Sequence, residues 1–214
     1  MRLGFLRMFP LALMGMCGVV SLAFSQEGKE LIGTPSPDWE VTDWFNSKPL
    51  SLGQLKGNVV LIRWWTGPEC PYCAASAPHL NRWHEAYHEK GLVVIGFYHH
   101  KSPGPLTHQH VADLVERYGF RFPVAVDPHW QTLRRWWLKD SDRKWTSVSF
   151  LIDQQGIIRY IHPGGSYTAE EAHEIEKTIQ DLLCEKGTPR KGQGVFLPLT
   201  RGGRKGTIPT GRYT

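Results

Sequence analysis

Cys70 and Cys73 stand two residues apart in "WWTGPECPYCAASAP", residues 64–78, and thiols at that spacing do one of three kinds of chemistry. They shuttle between dithiol and disulfide, supply half of a tetrahedral zinc site, or close a structural cross-link. A zinc site needs two further ligands, usually a second cysteine pair, and after Cys73 the chain offers only Cys184. A cross-link over two residues closes too small a loop to restrain the unfolded chain much. Position favours the redox reading, because the pair follows the apolar run "NVVLIRWW" and opens an amphipathic stretch, which puts it between a strand and a helix start. Helix N-terminal amides carry partial positive charge and favour a thiolate, so Cys70 is the expected nucleophile. Cys73, one turn further in, is close enough to attack the mixed disulfide that results.

Holding such a pair requires a sheet and helices, and the hydrophobic pattern supplies both. "NVVLIRWW" and "LVVIGFY" are continuous apolar runs of the kind buried on both faces in a parallel sheet. Between them Ala77, Leu80, Trp83, His84 and Tyr87 share a helical face that Gly91 ends. Thr107 caps a helix carrying Val111, Leu114, Val115 and Tyr118, closed by Gly119. "PVAV" reads as a short strand, and Asp127-Pro128 as a cap and first position of the next helix. "SVSFLID" and "IIRYIH" flank a turn at Gln154-Gln155-Gly156, and Thr168 with Glu171 forms a capping box ahead of Ala172, Ile175, Ile179 and Leu182. Upstream, "WEVTDWFNSKPLSL" alternates about Asn46-Ser47 as a hairpin does. The order predicts an α/β domain, a central mixed sheet covered by helices on both faces with an N-terminal hairpin extension.

The 214 residues suffice for one full core with appendages. Residues 1–25 combine Arg2 and Arg7, an apolar run over 8–24, and small residues before a cut after Ser25, the pattern of a secretory signal peptide; retention as a membrane anchor is the alternative. Cleavage would remove Cys17. A polar lead follows over 26–36, then the domain over 37–186, then a Gly/Pro-rich tail over 187–214. After Glu185 there are seven basic residues and no acid, so the net charge of +5 belongs to the ends while the body is mildly acidic. That distribution gives no reason to expect nucleic acid as a partner. The tail reads as disordered, and its charge suits an anionic lipid surface or partner.

Taken together, "LKGNVVLIRWWTGPECPYCAASAP" with Pro78, then "LVVIGFY" and "FLIDQQGIIR", resemble the thioredoxin superfamily in its secreted TlpA-like/redoxin branch, over residues 33–183. The resemblance implies a thioredoxin-like fold and exchange with protein thiols and disulfides, with no cofactor and no metal. It also implies attack by Cys70, resolution by Cys73, a redox partner protein and a bacterial extracytoplasmic location. Trp65, Pro71 and Tyr72 become site neighbours, and the inner pair Pro71-Tyr72 is similar to that of glutaredoxins. Four positions depart from the family. A substrate-holding cis-proline is replaced by Ser147, between Thr146 and Val148. Arg63 stands where an acid often takes the resolving cysteine's proton; buried, it would favour a thiolate, and on the surface it would do nothing. Ser76 replaces a helix glutamate, and Glu69, with one inserted residue, replaces an aromatic before Cys70 and opposes thiolate formation.

Ten histidines raise the question of further chemistry. His99 and His100 follow "LVVIGFY" at the carboxyl end of a strand, where open α/β sheets place their sites, and either could exchange a proton near Cys73 or join the cysteines on a metal. Solvated loop histidines are the alternative. His84 and His88 lie one helical turn apart, His108 and His110 read as incidental, and Trp136-Trp137 as core. Cys184 lies off the apolar face of its helix. The expected function is thiol–disulfide exchange. A copper or zinc carrier using both cysteines and a histidine remains an alternative, as does a redoxin-type peroxidase, which Pro68 disfavours because such sites carry threonine there.

Overall fold

The computed structural model describes residues 27–39, 41, 43–67, 70–143 and 145–185. The signal segment, the basic tail, Cys17, Pro68 and Glu69 lie outside the described residues. The elements are β1 (Trp44–Phe45), α1 (Leu52–Leu55), β2 (Val59–Trp65), α2 (Pro71–Tyr87), β3 (Leu92–Tyr98), α3 (His108–Arg117), β4 (Val124–Val126), α4 (Gln131–Leu133), β5 (Val148–Ile152), β6 (Ile158–Pro163) and α5 (Ala169–Cys184). No helix among the described residues is long and apolar enough to cross a membrane.

The six strands form one sheet in the order β1-β4-β3-β2-β5-β6. β2 pairs parallel with β3, and β3 with β4, while β5 pairs antiparallel with β2 and β6 antiparallel with β5. The mixed sheet expected from the sequence is therefore present. Every residue of β2 is buried, which is why its sequence lacks the alternation of a half-solvated strand. Side chains still alternate across its two faces. Val59, Leu61 and Trp65 pack with residues of α2, α3 and α5. Val60, Ile62 and Trp64 pack instead with Leu55, Leu133, Trp136 and Trp137. Trp64, Trp65, Trp83 and Trp137 are fully enclosed, and burial of that much ring surface stabilises by roughly 4–6 kcal/mol for each before chain entropy is counted. At Gly96 a methyl group would lie 2.8 Å from Trp65 Nε1, so the glycine in β3 leaves room for that indole.

The caps predicted at Thr107 and Thr168 form. Thr107 Oγ1 accepts from the His110 amide at 3.1 Å, and Thr168 and Glu171 satisfy each other's amides at 3.2 and 2.8 Å. Two local expectations are corrected. The N-terminal hairpin does not form, since Trp44–Phe45 pairs antiparallel with β4 instead of with the residues after the turn. Asn46, at φ 60, directs its carboxamide to the carbonyls of Phe120 and Phe122 at 2.9 and 3.0 Å, which binds the segment to the sheet edge. Asp127-Pro128 does not open a helix directly. The helix starts at Gln131, reached through Trp130 at φ 60, and Asp127 caps it from a distance by accepting from the Thr132 and Leu133 amides at 3.2 and 2.8 Å. It continues as a π turn over Arg134–Leu138. At the other edge, Gly33, Thr34 and Ser36 of the lead exchange backbone hydrogen bonds with Ile158 and Gly156, so the folded body includes residues before position 37.

Candidate functional site

The sheet delivers the cysteines as the pattern required. β2 ends at Trp65, and Cys70 is the N-cap of α2 with Pro71 at its first position. Proline costs nothing there because its missing amide would be unpaired anyway. Cys70 is half-buried and Cys73 is buried, both as thiols. Cys73 Sγ accepts from the Thr66 amide at 3.4 Å. Burial pushes the Cys73 thiol up to about 11; its hydrogen bond to Cys70 and the charge Cys70 can carry push the same way, whereas the Thr66 amide and Arg63 oppose them. The buried thiol therefore keeps its proton at neutral pH. Ser76 turns its hydroxyl back to the Cys73 carbonyl at 3.0 Å.

Arg63 is completely buried, which decides between its two sequence readings. It faces Ser149 across β5, and Ser149 faces His162 across β6, so a polar row crosses an otherwise apolar sheet face on the side of Cys73. Arg63 Nη1 donates to Ser149 Oγ at 3.2 Å and to the Gly164 carbonyl at 2.7 Å, while Nη2 donates to the Gly165 carbonyl. Tyr167 lies under the guanidinium, 5.3 Å from ring centre to Cζ, and its hydroxyl meets Ser149 Oγ at 2.7 Å. His162 bonds Glu171 through Nε2 at 3.3 Å. Burial lowers its pKa; Glu171 works against that and Arg63 with it.

Trp65 is a core residue, edge-on to Tyr98 and Phe120 at 5.0 and 5.2 Å. Tyr72 is 50% exposed and Trp145 54% exposed, and both line a cleft of about 290 Å³ with His162, Gly164, Gly165 and Glu171. A methyl group on Gly165 would lie 2.2 Å from Tyr72 Cβ, so this glycine is the floor on which the inner tyrosine rests. Ser147 is buried, follows a trans peptide bond, and accepts from the Gly164 amide at 2.9 Å. Sequence reasoning missed Gly164, Gly165, Trp145, His162 and Tyr167; the double glycine after a strand was the available signal.

The histidines part company with the cysteines. His99 is buried, meets Thr146 Oγ1 at 3.1 Å and packs edge-on against Trp130 at 5.3 Å. His100 is tied to Tyr98 and to the Gly104 carbonyl at 2.9 and 2.7 Å. Among the described residues no hydrogen bond joins either to a cysteine, and no group of three or more metal-ligating side chains is gathered. The His84 and His88 rings lie 4.9 Å apart, tilted by 32°. Burial pushes His99 down to about 3, helped by Lys101 and Arg63. An unfolded histidine titrates near ~6.5, so between about 6.5 and 3 the unfolded chain binds a proton that the folded chain refuses, and stability is lost as pH falls through that window. Relative to a His99→Gln variant, the protein is expected to lose about 1.4 kcal/mol per pH unit below ~6.5 in urea titrations. A difference that does not change with pH would contradict this.

The AhpC/TSA family pattern matches residues 32–161. Protein DipZ of Mycobacterium tuberculosis is 34% identical over 173 residues, 79% of this chain but 23% of DipZ, so the chain spans about a quarter of that relative. Thiol-disulfide oxidoreductase ResA of Bacillus thuringiensis subsp. konkukian is 30% identical over 170 residues, 77% of this chain and 90% of ResA. Among solved structures, a DsbE-like thiol:disulfide interchange protein from Chlorobium tepidum is 25% identical with a TM-score of 0.59, covering 71% of this chain and 97% of that one.

Proposed function

The chain belongs to the AhpC/TSA family, in the TlpA-like branch of the thioredoxin superfamily, and on that premise we propose that Cys70 and Cys73 exchange disulfides with other proteins. The supporting observation is the asymmetry of the pair: one thiol half-exposed at a helix start, the other buried one turn inward and hydrogen-bonded to it. The Cys70 thiolate attacks a substrate disulfide, releases one substrate sulfur and holds the other as a mixed disulfide. Cys73 then attacks Cys70, the second substrate sulfur leaves, and the pair ends as a disulfide. Only the two sulfurs are consumed, so the chemistry needs no cofactor. A redox partner protein returns the pair to its starting state.

We place this activity outside the cytoplasm. The basic and apolar start of the chain supports that reading, and recovery of a chain beginning at Gln26 from an extracytoplasmic fraction would check it. The basic tail suits contact with an anionic membrane surface. Thiol peroxidase chemistry is the second reading, favoured by the AhpC/TSA match and opposed by Pro68. Catalysed reduction of a protein disulfide such as that of insulin, beside consumption of peroxide with the same thiol donor, separates the two. Protein reduction without peroxide consumption is expected; the reverse would overturn the proposal.

A further inference from the structure

Among the described residues, no carboxylate pairs with the buried Arg63. Among the described residues its guanidinium contacts are a hydroxyl, two carbonyls and an aromatic face, and its Nε–H finds no partner there. Desolvating such an ion costs several kcal/mol, and an anion close by would offset more of that cost than neutral acceptors do. Neutral acceptors hold the group in place and leave its charge uncancelled. Its charge bears on His99, His162 and Cys73. The two histidines would become cations, and their pKa values are lowered, so they cannot balance it. Cys73 can become an anion, and it packs in the same core as Leu61 and Trp65, the residues flanking Arg63 on its face of β2.

We infer that Arg63 is the counter-charge of the Cys73 thiolate in the resolving step, promoting by its field an ionisation that a proton-accepting acid would otherwise promote. The inference rests on the exchange reading. Among the described residues, the polar and charged groups that bear on Cys73 are Cys70, the Thr66 amide and Arg63. Before attack, Cys70 opposes ionisation of Cys73 through its charge and hydrogen bond. Once Cys70 is bound in a mixed disulfide, that opposition is gone, whereas Arg63 and the Thr66 amide remain. Cys73 then gives its proton to water, and its thiolate attacks Cys70 Sγ. The Cys70–Cys73 bond forms, the bond from Cys70 to substrate breaks, and the substrate sulfur leaves with the electron pair and takes up a proton from solvent. The substrate is reduced by two electrons and the pair oxidised by two.

The test uses the full chain. In a Cys70→Ser background, iodoacetamide labelling of the Cys73 peptide is followed against pH with Arg63 intact, with Arg63→Gln and with Arg63→Lys. The expected result for Arg63→Gln is at least about a tenfold loss of thiolate at a given pH, a shift of one unit or more in the midpoint, with Arg63→Lys close to the parent. With Cys70 restored, release of a glutathione mixed disulfide should slow by a similar factor in Arg63→Gln and recover as pH is raised. An unchanged Cys73 midpoint, or slowing that is equal at every pH, would overturn the inference and leave Arg63 as a clamp on Gly164 and Gly165. If Arg63→Gln fails to fold, Arg63→Lys decides: it keeps the charge and loses the forked grip, so a raised midpoint there would also overturn it. A parent protein that forms no mixed disulfide at Cys70 would refute the exchange reading instead, while the Cys73 titration would still report on Arg63.

Discussion

Serine in place of Cys73 is expected to give a protein that attacks disulfides and then stalls, accumulating substrates linked through Cys70, while serine at Cys70 returns exchange to the uncatalysed rate. The asymmetry of the site requires both outcomes. Cys70 sits half-exposed at the N-cap of α2, open to an approaching disulfide. Cys73 is enclosed, its proton held by burial and by Cys70, so it serves only after Cys70 has reacted. Non-reducing gels with mass spectrometry would show the trapped adducts. Faster alkylation of Cys73 than of Cys70 in the reduced protein would reverse the roles.

Alanine at Gly165 is expected to cost about 1–3 kcal/mol in stability and to slow exchange by up to about 10²-fold. The added methyl would lie 2.2 Å from Tyr72 Cβ and 2.9 Å from its Cγ. A flexible side-chain tip could swing away from such a contact, but Cβ moves only with the backbone. Either the loop or the first turn of α2 must therefore shift. The loop is held through the Gly164 and Gly165 carbonyls by Arg63, and the start of α2 carries Cys70 and Cys73. Urea midpoints and exchange rates of Gly165→Ala would measure both effects. Behaviour like that of the parent would show that Tyr72 does not rest on this glycine.

The strand–cysteine–helix unit was legible because each part carries a local signal: a continuous apolar run, a Cys-Pro-Tyr-Cys turn, an amphipathic stretch and a closing glycine. The caps at Thr107 and Thr168 were legible for the same reason. The depth of Arg63 was not, since a strand buried on both faces shows no alternation to say what its one charged residue meets. The polar row of Arg63, Ser149 and His162 needs the register of β2, β5 and β6, and the shelf under Tyr72 joins positions far apart in the chain. The pleat explains His99: Trp65 and Tyr98 share the core with Cys73, so the next residue after Tyr98 turns to the opposite face, beside Trp130. Asn46 misled in another way, because its turn is real but its carboxamide ties the chain to Phe120 and Phe122 instead of folding it back on itself.

The reduction potential of the Cys70–Cys73 pair, from equilibration with glutathione buffers and quantitative alkylation, bears most directly on the claim that these two thiols are a working redox couple. The Cys-Pro-Tyr-Cys turn is similar to that of glutaredoxins, and the potentials of that class set the expected range. The expected result is a single two-electron transition linking the Cys70 and Cys73 peptides, at about −200 to −230 mV, more oxidising than thioredoxin near −270 mV. No reversible transition between these two residues, or a potential below that of thioredoxin, would contradict it.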